Sequence, residues 1–251
     1  MRPALLFFLF LGAAGCGTAG LPTRAYPPWF LSQGEAAPGC EVGYAQSSPY
    51  PDSSAARAFM DACHTGARHA LTEVRTAQAF VSSEDRTAFM GGVYREHYDT
   101  VGAFRLMARL AGLDTFRTRD MTLVLAGKPG NMAGPSGRPP IPPSREPPGW
   151  TMTLPSEPDQ VYAVGVAPEY FYESSSWREA EAMARRNLAR SLVLRTEALL
   201  KQTRESTQEV RHETQAVVLQ DVQVMARWRN EGIGIYYVLS RMKQVRTKND
   251  E

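Results

Sequence analysis

The chain has 251 residues, of which 43% are hydrophobic and 22% are charged, and its formal net charge is +2. This length suits one large or two small globular domains, and the composition can support a packed core. Because basic and acidic residues nearly balance, the chain lacks the strong positive field that attracts nucleic acid, and no nucleic-acid partner is expected.

The N-terminal segment predicts a secretory signal. Arg2 precedes an apolar run at residues 4–11, small residues follow, and Cys16 ends the segment. This order of charge, apolar run and small residues is typical of a signal peptide. The apolar run is too short to span a bilayer as a helix, which takes about 20 residues.

The end of this signal, Ala13-Ala14-Gly15-Cys16, resembles the bacterial lipobox, although Ala13 stands where Leu is usual. The resemblance implies that residues 1–15 are removed and that Cys16 carries the lipid. Several acyl chains on one residue give a lasting membrane attachment. Gly17, which follows the cysteine, implies sorting to the outer membrane. The alternative is an ordinary secretory signal with an incidental cysteine.

Two further cysteines, Cys40 and Cys63, follow the lipobox. A secreted protein meets an oxidising compartment, which permits a disulfide between them. The two residues fall on a predicted strand and on the helix after it, which we expect to pack together. The alternative is a pair of small buried thiols.

A proline-rich segment divides the chain near its middle. Residues 128–149 contain eight prolines and four glycines, so they cannot continue a helix or a sheet ladder. We interpret them as a linker between two units, with a long surface loop inside one domain as the alternative. The predicted organisation is a tether at 16–26, a first unit at 27–127, this linker, a second unit at 150–243 and a polar tail at 244–251.

The two units resemble each other. When residues 42–71 are compared with residues 164–193, ten of thirty positions are identical without a gap, including Gly43 with Gly165. Short collinear matches continue beyond this stretch. They align Met107-Ala108-Arg109 with Met225-Ala226-Arg227, and Val124-Leu125 with Val238-Leu239. Collinear self-similarity favours an internal duplication.

Each unit is predicted to have an α+β fold, in which a long helix packs on one face of an antiparallel sheet. Alanines at helical spacing, Ala180 and Ala184 in the second unit, favour a close helix–sheet contact. Ser176 and Glu179 have the spacing of a capping box at the start of that helix. The predicted order in each unit is a strand (41–45; 161–167), the long helix, a strand (77–83; 197–204), a helix (86–98; 207–219) and two strands (103–110 and 119–126; 222–228 and 233–242).

The second unit resembles the LPP-twenty lipoprotein family. The features that carry the likeness are the Pro-Pro-Gly-Trp entry at 147–150, the strand Tyr162-Ala163-Val164-Gly165, the Ala- and Arg-rich helix at 180–192 and the ending Tyr236-Tyr237-Val238-Leu239. The first unit matches more weakly. The resemblance implies an envelope lipoprotein and supplies no catalytic residue.

Catalytic and metal-binding motifs are missing from the sequence. The four histidines, His64, His69, His97 and His212, do not have zinc-ligand spacing, and no nucleophile elbow occurs. We therefore expect no enzyme, no metal site and no cofactor.

Aromatic residues crowd the segment between the first strand and the helix of the second unit. Tyr170, Phe171, Tyr172 and Trp177 form a candidate partner-binding group. The alternative is a hydrophobic plug beneath the start of the helix.

The sequence thus predicts a non-enzymatic lipoprotein, anchored in the outer membrane through Cys16 and facing the periplasm. It would act as an adaptor or structural component and bind other envelope proteins. The alternatives are an envelope enzyme acting on cell-wall material and a sensor that binds a small ligand between the two units.

Overall fold

The computed structural model describes residues 24–83, 86–130, 138–201 and 212–244. The first half contains α1 (Pro28–Leu31), α2 (Gln33–Ala36), β1 (Glu41–Gln46), α3 (Pro51–Ala70), β2 (Leu71–Ser83), β3 (Arg86–Tyr98), α4 (Thr100–Met107), β4 (Ala111–Arg117) and β5 (Met121–Gly127). The second half contains a short 3-10 turn (Gly149–Thr151), β6 (Gln160–Pro168), α5 (Glu173–Lys201), β7 (His212–Gln220), β8 (Gln223–Asn230) and β9 (Ile235–Lys243).

The strands form three antiparallel sheets of three strands each, with the orders β1-β5-β4, β6-β9-β8 and β3-β2-β7. Helix α3 packs on the first sheet and α5 on the second. The predicted α+β fold class is confirmed. No helix of the described residues is long and apolar enough to cross a membrane.

The long helices approach their sheets equally closely in the two halves. A Cβ placed on Gly43 would lie 1.9 Å from the carbonyl oxygen of Ala58, and one on Gly165 would lie 1.9 Å from that of Ala180. Glycine is therefore required at both strand positions, because the strand backbone meets the helix backbone there.

The strand registers of the two sheets also agree. Gly43 pairs with Val124 and Gly165 pairs with Val238. Each sheet has one register shift, between Gly112 and Asp114 in the first and between Val224 and Ala226 in the second. Both shifts are bulges of one residue. Each lies two residues before the strand position that pairs with Val124 or Val238, the partners of the two glycines.

The third sheet joins the two halves. The hairpin β2–β3 comes from the first half, and β7 from the second half pairs with β2 from Leu71↔Gln220 to Ala79↔His212. Residues 86–98 and 212–219 were expected to be helical, and that expectation is wrong. Strand pairing overrides the local pattern in both segments, since β3 forms a hairpin with β2 and β7 pairs with β2 of the first half.

Other local predictions also need correction. Residues 197–201 are helical rather than extended, and the segment predicted as a strand at 103–110 is mostly α4. Met107 therefore ends a helix while Met225 lies in β8, so these two residues are not equivalent. The proposed capping box is wrong because α5 begins at Glu173, three residues before Ser176.

The two halves share one hydrophobic core. Buried side chains from α1, β1 and β5 pack with Trp177, Ala180 and Val238 of the second half. The proline-rich segment does not separate two independent domains in the described residues. Ile141 forms an isolated antiparallel bridge with Tyr26, and the indole of Trp228 donates a hydrogen bond to the carbonyl of Ser144.

Candidate functional site

The aromatic segment before α5 divides into exposed and buried residues. Tyr170 and Tyr172 are 44% and 43% exposed, and Phe171 is 93% exposed. The rings of Phe171 and Tyr172 meet edge to face at 4.9 Å. The hydroxyl of Ser176 accepts a hydrogen bond of 2.7 Å from the Tyr170 amide. The loop is thus held at its base while its aromatic rings face solvent.

Trp177 does not belong to this exposed group. It is fully buried and meets Tyr26, Phe30 and Tyr236 in edge-to-face contacts with centroid distances of 5.9, 5.1 and 4.7 Å. The expectation that Trp177 binds a partner is wrong, because the ring has no accessible surface. Trp177 forms the plug beneath the helix start that was the alternative interpretation.

The N-terminal segment enters the folded body beside the exposed residues 170–172, which we call the aromatic loop. Arg24 forms a 2.8 Å ion pair with Glu173, and its backbone amide donates to Glu231 at 3.3 Å. Tyr26 is fully buried and donates its hydroxyl hydrogen bond to Glu173. Residues 24–26, which were assigned to the tether, therefore belong to the folded body, and Tyr26 is part of its core.

The turn between β8 and β9 completes this end of the molecule. Pro168 pairs with Ile235, and Gly234 lies against the side chain of Glu169. Ile233, at the tip of the turn, is 63% exposed. We call the surface formed by Arg24, residues 168–173 and residues 231–235 the tether end.

A buried ionic network lies beneath the tether end. Arg227 on β8 forms a 2.6 Å ion pair with Glu181 on α5, and its Nε donates to the hydroxyl of Tyr44 at 2.8 Å. Its Nη1 donates to the carbonyl of Phe30 at 2.9 Å and to Gln33 at 2.7 Å. One guanidinium therefore holds segments of both halves in the interior.

The pKa values of this network follow from its burial and pairing. Burial acts to raise the pKa of the Glu181 carboxyl, but the charges of Arg227 and His69 and the hydrogen bonds from Tyr44 and Arg227 together lower it. Burial raises the pKa of Tyr44 well above its usual value. The Arg227 guanidinium binds four groups of the protein interior, which supports a structural role for the network.

A cleft of about 330 Å³ lies where the two halves meet. Its wall includes Glu41 at the start of β1, His69 near the end of α3, Asp221 between β7 and β8, and Arg241 on β9. His69 is buried, its Nδ1 lies 2.8 Å from Glu41, and its Nε2 has no hydrogen-bond partner in the described part of the chain. No group of three metal-binding side chains occurs among the described residues.

The two cysteines are both buried and are not bonded to each other, so of the two alternatives the structure shows buried thiols and no disulfide between them. Burial raises the pKa of Cys63 to about 11. Cys40 precedes β1 and lines the cleft. Cys16 lies outside the described residues, so the lipid attachment stays a prediction.

Sequence reasoning missed Arg24, Glu181, Arg227 and the cleft. Arg227 follows apolar residues in a strand, and an arginine in such a position signals a buried ion pair. Its partner is 46 residues away, so only the fold reveals the pair.

No family model, curated protein or solved structure matches the chain.

Proposed function

We propose that the protein is a lipid-anchored adaptor of the bacterial outer membrane, of the LPP-twenty type. It would hold the sheet β3-β2-β7, which we call the recognition sheet, away from the bilayer. Cys16 would carry the lipid, and the periplasmic face is the expected location. The observation that carries the proposal is the separation between the tether end and the sheet β3-β2-β7.

Helix α5 sets this separation. Its first residue, Glu173, binds Arg24 at the tether end, and the helix continues for 29 residues. At about 1.5 Å per residue it is about 43 Å long. Along its course Arg185 forms an ion pair of 3.0 Å with Glu96 at the base of the hairpin. Leu188 then packs in a cluster with Val74 and Leu219. The helix therefore leads from the tether end to the third sheet.

The third sheet offers a surface for an extended partner. Among the described strands, none pairs with the outer edge of β3, which is 13 residues long. An unpaired edge presents free backbone donors and acceptors, to which a segment of another protein can add as a strand. We expect the partner to be an envelope protein that supplies such a segment.

The equivalence of the two halves supports an origin by duplication of one sheet-and-helix unit. The glycine–alanine contacts, the strand registers and the bulges agree at matched positions. Under this proposal β2, β3 and β7 are the segments in which the two units have come to differ. They pair with each other and form the recognition sheet.

Metabolic labelling with an alkyne fatty acid tests the anchor. The wild-type protein should incorporate the label, and Cys16→Ser should lose it together with its membrane fractionation. Cys63→Ser is the matched control, because this buried thiol should not affect acylation. Equal labelling of wild type and Cys16→Ser would contradict the anchor.

Site-specific photo-crosslinking in the native envelope tests the recognition sheet. A photoreactive residue at position 95, exposed on β3, should give a discrete crosslinked band that mass spectrometry can identify. A photoreactive residue at position 57, exposed on α3, serves as the control. Identical patterns at the two positions would contradict a partner site on β3.

A small-ligand sensor is a second candidate, because the cleft lies between the halves and contains the carboxylates of Glu41 and Asp221. Such a cleft suits a ligand with amine or amide donors, for example a peptidoglycan fragment. Thermal shift against such fragments tests it, with Asp221→Asn as the variant. Asn tolerates the positive φ of 52° at this position, so only the charge is removed. A shift that is absent, or equal in the two proteins, would count against the sensor.

A further inference from the structure

We infer that the tether end is a membrane-contacting surface, in which Tyr170, Phe171, Tyr172 and Ile233 enter the interface of the same bilayer that holds the lipid on Cys16. The inference rests on the lipid anchor proposed above. It adds a fixed orientation, in which the folded protein contacts the membrane through its aromatic loop.

The apolar groups come from two neighbouring loops. Phe171 is 93% exposed and Ile233 is 63% exposed, with Tyr170 and Tyr172 beside them. The pairing of Pro168 with Ile235 brings the two loops together. Large apolar side chains exposed on two adjoining loops form a candidate contact surface.

The length of the tether decides what this surface meets. Arg24 is fixed at the tether end by Glu173 and Glu231. Eight residue steps separate Cys16 from Arg24, and a fully extended chain covers at most about 3.6 Å per step, or about 29 Å. The bilayer therefore cannot lie farther than this from Arg24, which belongs to the tether end. Lys201, at the other end of α5, lies about 42 Å from Glu173.

The residue types suit an interface between water and lipid. Tyrosine places a ring in the apolar layer and its hydroxyl among the headgroups, and phenylalanine adds apolar area. Within the tether end Arg24 is paired with Glu173, and Glu169 is paired with Arg229 of β8. The tether end itself contains one arginine and three glutamates, so it has no net positive charge and the contact is expected to need no anionic lipid.

Depth-dependent quenching tests the inference on the acylated mature protein. Phe171→Trp introduces an indole at the tether end, and Tyr50→Trp introduces one at a site on the first half that is 75% exposed. Both proteins are reconstituted in phosphatidylethanolamine–phosphatidylcholine vesicles with and without brominated acyl chains. The added emission of Phe171→Trp should shift to the blue and be lost with brominated lipid, and that of Tyr50→Trp should be retained.

Equal retention by the two variants would overturn the inference, and the aromatic loop would then be assigned to a protein partner. Intact mass spectrometry of the same preparations separates this failure from failure of the anchor. Where no acyl mass is found, the chain beginning at Cys16 is coupled through that thiol to a maleimide lipid. Cys40 and Cys63 are buried and are expected to react slowly. Quenching of the Phe171→Trp emission in that preparation decides the inference independently of native acylation.

Discussion

The guanidinium of Arg227 lies 2.6 Å from the carboxylate of Glu181, and both side chains are buried. The same guanidinium also donates to Phe30 and Gln33, which precede β1. The pair therefore fastens the segment that contains α1 and α2 to the second half.

Removal of one partner should be strongly destabilising. Glu181→Gln keeps the shape of the side chain but leaves a buried arginine without its counter-charge, so the free energy of unfolding should fall by about 3–5 kcal/mol. Urea denaturation measures the loss. Glu157→Gln, which removes an exposed ion pair with Arg241, is the control and should cost under about 1 kcal/mol. Equal losses in the two variants would contradict the structural role of the network.

Buried tyrosines should make the protein sensitive to alkali. Burial raises the pKa of Tyr26, Tyr44 and Tyr236 above the usual value. The unfolded chain loses these protons above pH about 10 while the folded chain keeps them. Stability is therefore fully present below pH about 10 and falls above it, by about 1.4 kcal/mol per pH unit for each tyrosine.

The Tyr236 hydroxyl offers a specific test of this pH dependence. It has no hydrogen-bond partner among the described residues. Tyr236→Phe should therefore keep its stability at pH 7, and its free energy of unfolding should fall less than that of the wild type between pH 10 and 11. Tyr50→Phe should leave the pH profile unchanged. The urea midpoint at each pH gives the comparison, and superimposable profiles for Tyr236→Phe and wild type would refute the explanation.

The matched glycines should respond alike to a single methyl group. Gly43→Ala and Gly165→Ala each place a Cβ 1.9 Å from a helix carbonyl, so helix and sheet must move apart. Overpacking of this kind costs typically about 1–3 kcal/mol, and a backbone clash lies at the upper end or beyond. Gly149→Ala is the control, since its Cβ would have no neighbour within 4 Å. Chemical denaturation that found one of the two glycines tolerant would contradict the equivalence of the two units.

The cysteines should behave as protected thiols. Cys40 and Cys63 are buried, and the raised pKa of Cys63, about 11, keeps its thiolate scarce at neutral pH. Neither should react with iodoacetamide in the native protein within minutes, and both should react in urea without a reductant. Failure to alkylate in urea until a reductant is added would reveal a disulfide.

Much of the two similar bodies could be predicted from the sequence. The strands at β1, β6, β8 and β9 and the alanine faces of α3 and α5 follow from local pattern. The sequence comparison matched Gly43 with Gly165, and both positions require glycine because a Cβ would meet the helix backbone. The match of Val124 with Val238 agrees with the observed register.

The remainder depends on contacts that are distant in sequence. β7 is a strand because it pairs with β2, about 140 residues earlier. Trp177 was grouped with its exposed neighbours because sequence proximity does not show which face of a helix start is buried. Arg24 and Ile233 are more than 200 residues apart in the chain, so their shared position beside the aromatic loop required the fold.

The central claim is that the tether end lies at the bilayer and that α5 leads away from it. Energy transfer from a donor dye to acceptor-labelled lipid tests this most directly, with the acylated protein labelled at Ile233→Cys or at Lys201→Cys. The account predicts strong transfer from position 233 and weak transfer from position 201, since α5 separates the two ends by about 42 Å. Equal transfer from both positions, or stronger transfer from position 201, would contradict it.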